Sequence, residues 1–188
     1  MSGPLYFELF DDMSSSNRWY LAAPTGPQGE WLAGALTSGG RYAGGKPLQI
    51  EVYQKGPPLE LTLTLGGVLV VNERVADIMS RVADQDVQLV QAQVQGESGA
   101  HFVVNVLPLM KCIDEQLTAE LRRWGSEDGQ PERVGEYSYV SGMKIDSALA
   151  KGHQVLRPWG WSGVVLASVI MADALRFANV RCQLTPVT

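Results

Sequence analysis

Four leucines in strict alternation, Leu59, Leu61, Leu63 and Leu65, separated by Glu60, Thr62 and Thr64, constrain this chain more than any other feature. Successive side chains of a strand point to opposite faces, so a period of two sets one group on a core and the other in water. Leu48, Ile50 and Val52 alternate in the same way with Gln49, Glu51 and Tyr53. Between the two runs, Gln54-Lys55-Gly56-Pro57-Pro58 supplies turn residues. The pattern predicts an antiparallel pair joined at that turn.

Two stretches carry helix signals. Asn72 precedes Val75, Ile78, Met79 and Val82, which fall on one helical face, and its side chain can accept from an orphan N–H of the first turn. The stretch from Val155 to Val187 reads as strand, tryptophan-rich turn, strand, Ser168-capped helix and closing strand. The two units echo each other: one leads into Val87-Gln88-Leu89-Val90, the other into Cys182-Gln183-Leu184-Thr185. The echo is either a repeated helix–strand unit, giving a two-lobed molecule, or a chance match of a few residues.

Between these units the pattern is less regular. Val87 and Leu89 lie on one strand phase and Val90, Ala92 and Val94 on the other, which predicts a bulge or a change of sheet near Leu89. His101 to Leu107 reads as a buried strand stopped by Pro108. From Asp114 to Trp124 the period is ambiguous, Leu117, Leu121 and Trp124 making a short helical stripe. A loop with Gly125, Gly129 and Pro131 follows, then a strand from Tyr137 to Ile145. The expected fold is α+β, strand-rich with antiparallel sheets and two or three short helices. Residues 1–67 read as a strand-rich region and 68–188 as an α+β region, unless 1–188 is one continuous domain.

The chain has 188 residues, 45% hydrophobic and 19% charged, which suits a globular protein with a sizeable core. A net charge of −5 opposes non-specific binding to nucleic acid. No apolar run approaches the roughly 18 to 20 residues of a spanning helix, so no membrane association is expected. The stretch from Met1 to Asp12 has acids where a secretory signal needs a basic segment and an apolar core. A cytoplasmic protein is expected. Cys112 and Cys182 stand in no CxxC or Cys/His cluster and read as buried small hydrophobes.

Motifs that could carry chemistry are weak. Gly40 to Lys46 matches the GxxxxGK core of a phosphate loop, but Pro47 and a strand follow in place of Ser or Thr and a helix. His101 and His153 have no second ligand at metal spacing and read as surface or hydrogen-bonded groups. A Cys112/His153 nucleophilic pair has no local sign of activation. Asp11 with Asp12, and Asp84 with Asp86, are paired carboxylates; the second pair follows a helix and reads as turn-forming. No cofactor and no metal is expected.

Trp159-Gly160-Trp161 either anchors a tight turn on the core or, if exposed, offers a stacking platform or interface anchors. Charge is uneven. Residues 114–136 carry Asp114, Glu115, Glu120, Glu127, Asp128, Glu132 and Glu136 against three arginines, whereas residues 137–188 carry two acids against five bases.

Across most of its length the chain resembles the immunity proteins of bacterial polymorphic toxin systems, of the myxobacterial type. The likeness is carried by Phe7 to Met13, Asp84 to Val94, Cys112-Ile113-Asp114-Glu115, Tyr139 to Asp146, Arg157-Pro158-Trp159-Gly160-Trp161 and the final helix and strand. None of these is a catalytic signature. The resemblance implies a non-enzymatic antidote, made beside a toxin gene, that binds the cognate toxin, a nuclease domain, and occludes its active site. An acidic patch suits such a partner because a nuclease groove is basic. The expected contact residues are Asp114, Glu115, Glu120, Glu127, Asp128 and Glu132, with Trp159 and Trp161 as anchors, unless these acids form an ordinary solvated face. The alternative is a small-molecule or sugar-binding module using Trp159 and Trp161.

Overall fold

The computed structural model describes residues 5–188. In chain order its elements are β1 (Tyr6–Asp11), β2 (Tyr20–Leu21), α1 (Ala33–Thr37), β3 (Leu48–Ile50), β4 (Val52–Gln54), β5 (Leu61–Leu63) and β6 (Leu69–Asn72). Then come α2 (Glu73–Val82), β7 (Val87–Val94), β8 (His101–Val106), β9 (Leu109–Met110), β10 (Glu120–Arg123), β11 (Tyr137–Ser141) and α3 (Ser147–Ala150). The chain closes with β12 (Val155–Pro158), β13 (Val165–Ser168), α4 (Val169–Phe177) and β14 (Cys182–Pro186). The strands form two five-stranded sheets, ordered β3-β7-β8-β6-β5 and β14-β1-β13-β12-β9, and two ribbons, β2-β4 and β10-β11. The fold is α+β and strand-rich, as the sequence predicts; the sheets are antiparallel and mixed, and the described residues form four short helices where two or three were expected.

The two large sheets repeat one topology. In the first, the β5–β6 hairpin leads through α2 to β7, and β8 lies between β6 and β7, antiparallel to both. In the second, the β12–β13 hairpin leads through α4 to β14, and β1 lies between β13 and β14, again antiparallel to both. Each helix is thus a crossover between two parallel strands with a third inserted. Registers agree as well. Asn72 stands opposite His101 as Ser168 stands opposite Tyr6. Val87 stands opposite Val106 and Leu89 opposite Val104, as Cys182 stands opposite Asp11 and Leu184 opposite Leu9. The caps match too: Asn72 Oδ1 accepts from the Val75 N–H at 3.0 Å, and Ser168 Oγ from the Met171 N–H at 3.2 Å. The sequence echo therefore marks a repeated unit.

The halves share one core. Leu61, Leu69, Val71 and Val104 of the first sheet join Leu9, Val155, Val165 and Ala167 of the second, with Val75 and Met79 of α2 and Met171 and Leu175 of α4. At the hairpin turns the equivalent glycines meet. A Cβ on Gly67, whose φ is +73°, would lie 2.3 Å from the Gly163 carbonyl oxygen, so only glycine fits. The junction between residues 67 and 68 falls inside the β5–β6 turn, and the first sheet draws strands from both sides of it.

Several local expectations are corrected. The runs at 48–52 and 59–65 do not pair: β3 pairs parallel with β7, β4 pairs with β2, and β5 pairs with β6, so β3 and β5 are opposite edges of one sheet. Residues 55–58 pack on 17–19 instead of turning a hairpin, with the Trp19 N–H donating to the Pro57 carbonyl at 3.2 Å. Nor do Thr62 and Thr64 face water; both are buried, and Trp19 Nε1 donates to Thr62 Oγ1 at 2.8 Å. Trp19, Leu21, Leu36, Leu48 and Ile50 build a second core behind this sheet.

That second core also explains β7. Its pairing with β8 runs unbroken from Val87 to Ala92, with no bulge and no change of sheet. Val87 and Leu89 face the first core, while Val90, Ala92 and Val94 face the second. Finally, the helical stripe at Leu117, Leu121 and Trp124 is not a helix; residues 120–123 form β10.

Candidate functional site

The β10–β11 ribbon hydrogen-bonds to neither large sheet and stands as a separate arm. Glu120 pairs with Ser141, Leu121 with Val140 and Arg122 with Tyr139, and a register shift follows before Arg123. The connection from 124 to 136 folds into two short 3-10 turns, at Ser126–Asp128 and Pro131–Arg133. The Asp128 carboxylate accepts from the Gly125 N–H at 2.7 Å, and Gly129 takes the left-handed conformation, φ +71°, that ends the first turn.

The tryptophan turn seats this arm. The Tyr137 N–H donates to the Gly160 carbonyl at 3.0 Å, and a Cβ on Gly160, whose φ is +78°, would meet the Tyr137 ring at 3.1 Å. Tyr137 is buried, and its hydroxyl donates to Glu115 Oε1 at 2.7 Å. Arg123 bonds the same carboxylate. The Tyr137 hydroxyl first, and then Arg123, hold Glu115 below the usual carboxylate range. Burial first, and then Glu115, push the Tyr137 phenol up to about 12.

Ion pairing decides which acids are free. Glu120 takes Arg122 at 2.9 Å, Glu115 takes Arg123, and Glu136 takes Arg133 at 3.5 Å. Asp114 accepts from the Gln116 and Leu117 N–H groups at 3.0 and 3.1 Å, closing a turn at the root of the arm. Glu127, Asp128 and Glu132 have no cationic partner among the described residues, and all three are exposed at the tip. Val134 on the same connection and Tyr139 in β11 also expose apolar surface, with the Arg122 guanidinium 5.5 Å from the Tyr139 ring centre.

The two indoles of the turn line separate cavities. Trp159 lies with Lys111, Glu115, Arg123 and Tyr137 around a cavity of about 340 Å³, and the Lys111 ammonium sits 4.3 Å from its ring centre. Trp161 lines another of about 310 Å³ with Arg133 and Glu136. The structure thus joins Glu115 to Trp159 at the base of the arm and leaves Glu127, Asp128 and Glu132 exposed on the connection from 124 to 136.

Elsewhere, the candidate chemistry is held by structure. Gly40 donates to the Leu107 carbonyl at 3.1 Å, and β3, not a helix, follows the phosphate-loop match. His101 is buried in β8, its Nδ1 3.0 Å from the Gly99 carbonyl. Asp11 is buried against Arg18 at 2.5 Å. Cys112 is fully buried, and burial pushes its thiol up to about 11, which opposes thiolate chemistry.

Two features had no sequence signal. Asp86, which the sequence assigns to a turn, is buried and accepts from Nδ1 of His153 at 2.7 Å and from the Gln154 and Val155 N–H groups at 2.5 and 3.2 Å. Arg157 is a buried guanidinium with no carboxylate partner among the described residues, donating to the carbonyls of Ser162, Val164 and Gly67. Among the described residues no group of three or more His, Cys, Asp or Glu could hold a metal ion. No helix among them is long and apolar enough to cross a membrane. No protein-family model matches this chain, and no curated protein matches its sequence.

Proposed function

We propose that this chain is an immunity protein. It binds a cognate bacterial toxin, a nuclease encoded by the adjacent gene, in the producer's cytoplasm and occludes the toxin's active site without chemistry of its own. The observation that carries this reading is the arm. Its three arginines are neutralised within it, so the uncompensated charge is Glu127, Asp128 and Glu132 at an exposed tip. A nuclease groove is basic because it neutralises phosphates, so an acidic tip is steered toward it and competes for the same cations. The exposed Val134 and Tyr139 of the arm supply apolar contact, where tightness is gained.

The test mixes the C-terminal domain of the adjacent gene's product with this protein and measures binding by calorimetry together with residual DNA cleavage. One-to-one binding with loss of cleavage is expected. Lysine at 127, 128 and 132 together weakens binding at least about tenfold at low salt, the difference shrinking as salt rises. Absence of binding to the adjacent gene product sinks the proposal; unchanged affinity in the triple variant removes the arm from it. The small-molecule alternative is disfavoured by the separation of Trp159 from Trp161 and by the lysine lying over Trp159.

A further inference from the structure

Matching the two repeated units residue by residue also matches two surface grooves. One lies beside Glu60, Asn72 and Arg74, the other beside Gln154, Ser168 and Ile170. Leu61 stands opposite Val71 and Val155 opposite Ala167, each just before its cap, so Glu60 corresponds to Gln154 and Arg74 to Ile170. Their volumes are alike, about 440 and 410 Å³.

The chemistry of the two has diverged. In the first groove the Arg74 guanidinium holds Glu60 through Nε and Nη2, both at 2.7 Å, and reaches the Ala178 carbonyl with Nη1 at 2.7 Å. Glu73 and Glu97 line it as well, so the first groove is acidic and bridged by an ion pair. In the second, Val169 replaces Glu73, Ile170 replaces Arg74, and Gln154 is engaged with the Ser168 hydroxyl at 2.5 Å. Among the described residues no ion pair bridges it. Ile170 is 60% exposed and Leu5 is 47% exposed at its wall.

Charge is reversed too. Among the described residues lining the second groove there is no carboxylate; the titratable groups are Tyr6, Lys151 and His153. Tyr6 is spoken for, its hydroxyl donating to the Ala150 and His153 carbonyls. The His153 ring is fixed by buried Asp86 through Nδ1, and Nε2 has no partner among the described residues. A chain of net charge −5 thus presents one ammonium, that of Lys151, with no carboxylate partner among the described residues, beside an apolar wall. Cavities of about 300 to 1,000 Å³ with an apolar lining and a few convergent polar groups are the usual form of small-molecule sites.

We propose that this groove binds a small amphipathic carboxylate, with the alkyl chain on Leu5, Val169 and Ile170 and the carboxylate at the Lys151 ammonium. No covalent step is involved.

The test titrates octanoate into the ¹⁵N-labelled protein and follows amide shifts. Saturable shifts are expected over residues 147–154 and 168–170, with octanol and octylammonium binding at least about fivefold more weakly because each lacks the carboxylate. Lys151→Gln weakens binding by a similar factor. The double variant Gln154→Glu with Ile170→Arg rebuilds the ion pair of the twin groove and abolishes binding. Absent shifts, equal binding of octylammonium, or undiminished octanoate binding in a folded double variant overturns the proposal. If the double variant does not fold, the comparison of octanoate with its two analogues decides it. None of these readouts involves the toxin, so this inference and the immunity reading fail independently.

Discussion

Arg157 shows what a single side chain can hold together. Its guanidinium is fully buried, burial lowers its pKa to about 10, and its Nε has no partner among the described residues. Three carbonyls from the two hairpin turns converge on it, at 2.6, 3.3 and 3.0 Å. Arg157→Ala leaves those carbonyls without donors and empties a filled volume, so a loss of about 3 to 5 kcal/mol is expected in denaturant unfolding. Glu8 behaves in the opposite sense. It lies in the middle of β1, opposite Leu166 and Thr185, and burial raises its carboxyl above the ordinary value of 4.5. A raised folded-state pKa means that ionised Glu8 weakens the fold at neutral pH and that the penalty fades as pH falls through the folded pKa. Glu8→Gln should therefore raise the melting temperature at pH 7, with the gain closing toward pH 4.5, as parallel melts across pH will reveal. Asp86 is the third such residue: Asp86→Ala leaves the Gln154 and Val155 N–H groups unsatisfied, and a loss of about 2 to 4 kcal/mol is expected by the same unfolding measurement.

At the level of elements, the sequence spoke clearly where the determining contacts were local. Both helix caps, the β12–β13 hairpin and the closing strand were legible because an N-cap, a glycine turn and an apolar period act within a few residues. The partner of β3 was not legible, because a period of two says which side chains share a face and nothing about which strand lies alongside. Thr62 and Thr64 misled for a related reason. The core that buries them is built from residues 19 to 36 and beyond, out of reach of any local pattern. The arm was half legible. Its excess of acids could be counted, and the Glu120–Arg122 and Arg133–Glu136 pairs are close in sequence, but Arg123 reaching Glu115 and Tyr137 depends on the ribbon's register. Residues 126–133 belong to no hydrophobic core, so replacing them by a short glycine turn should leave thermal stability within a few degrees and, under the proposed immunity function, abolish protection against the toxin. A melt paired with the cleavage assay checks both halves of that expectation.

For the whole molecule, the repeat makes chain order secondary to arrangement. β8 follows its unit in sequence and β1 precedes its own, yet each lies between the same two strands. The end of the chain lies against β1: the Leu5 N–H donates to Thr188 Oγ1 at 2.8 Å and the Val187 N–H to the Tyr6 carbonyl at 3.1 Å. A circular permutant opened at Ser16 and closed behind Thr188 by a short flexible linker should fold, with both halves then running hairpin, helix, strand, strand. Circular dichroism and amide spectra matching the parent would bear this out. The two halves differ in how their outer strands are finished. β7 has β3 alongside it, whereas β14 ends its sheet. Pro186 offers no N–H to a neighbour, and the Ile145 N–H donating to the Val187 carbonyl secures only the last of the strand. From Cys182 to Thr185 no strand among the described residues covers the outward backbone, so concentrated copies of this chain have a route to stick to one another strand against strand, along that open border.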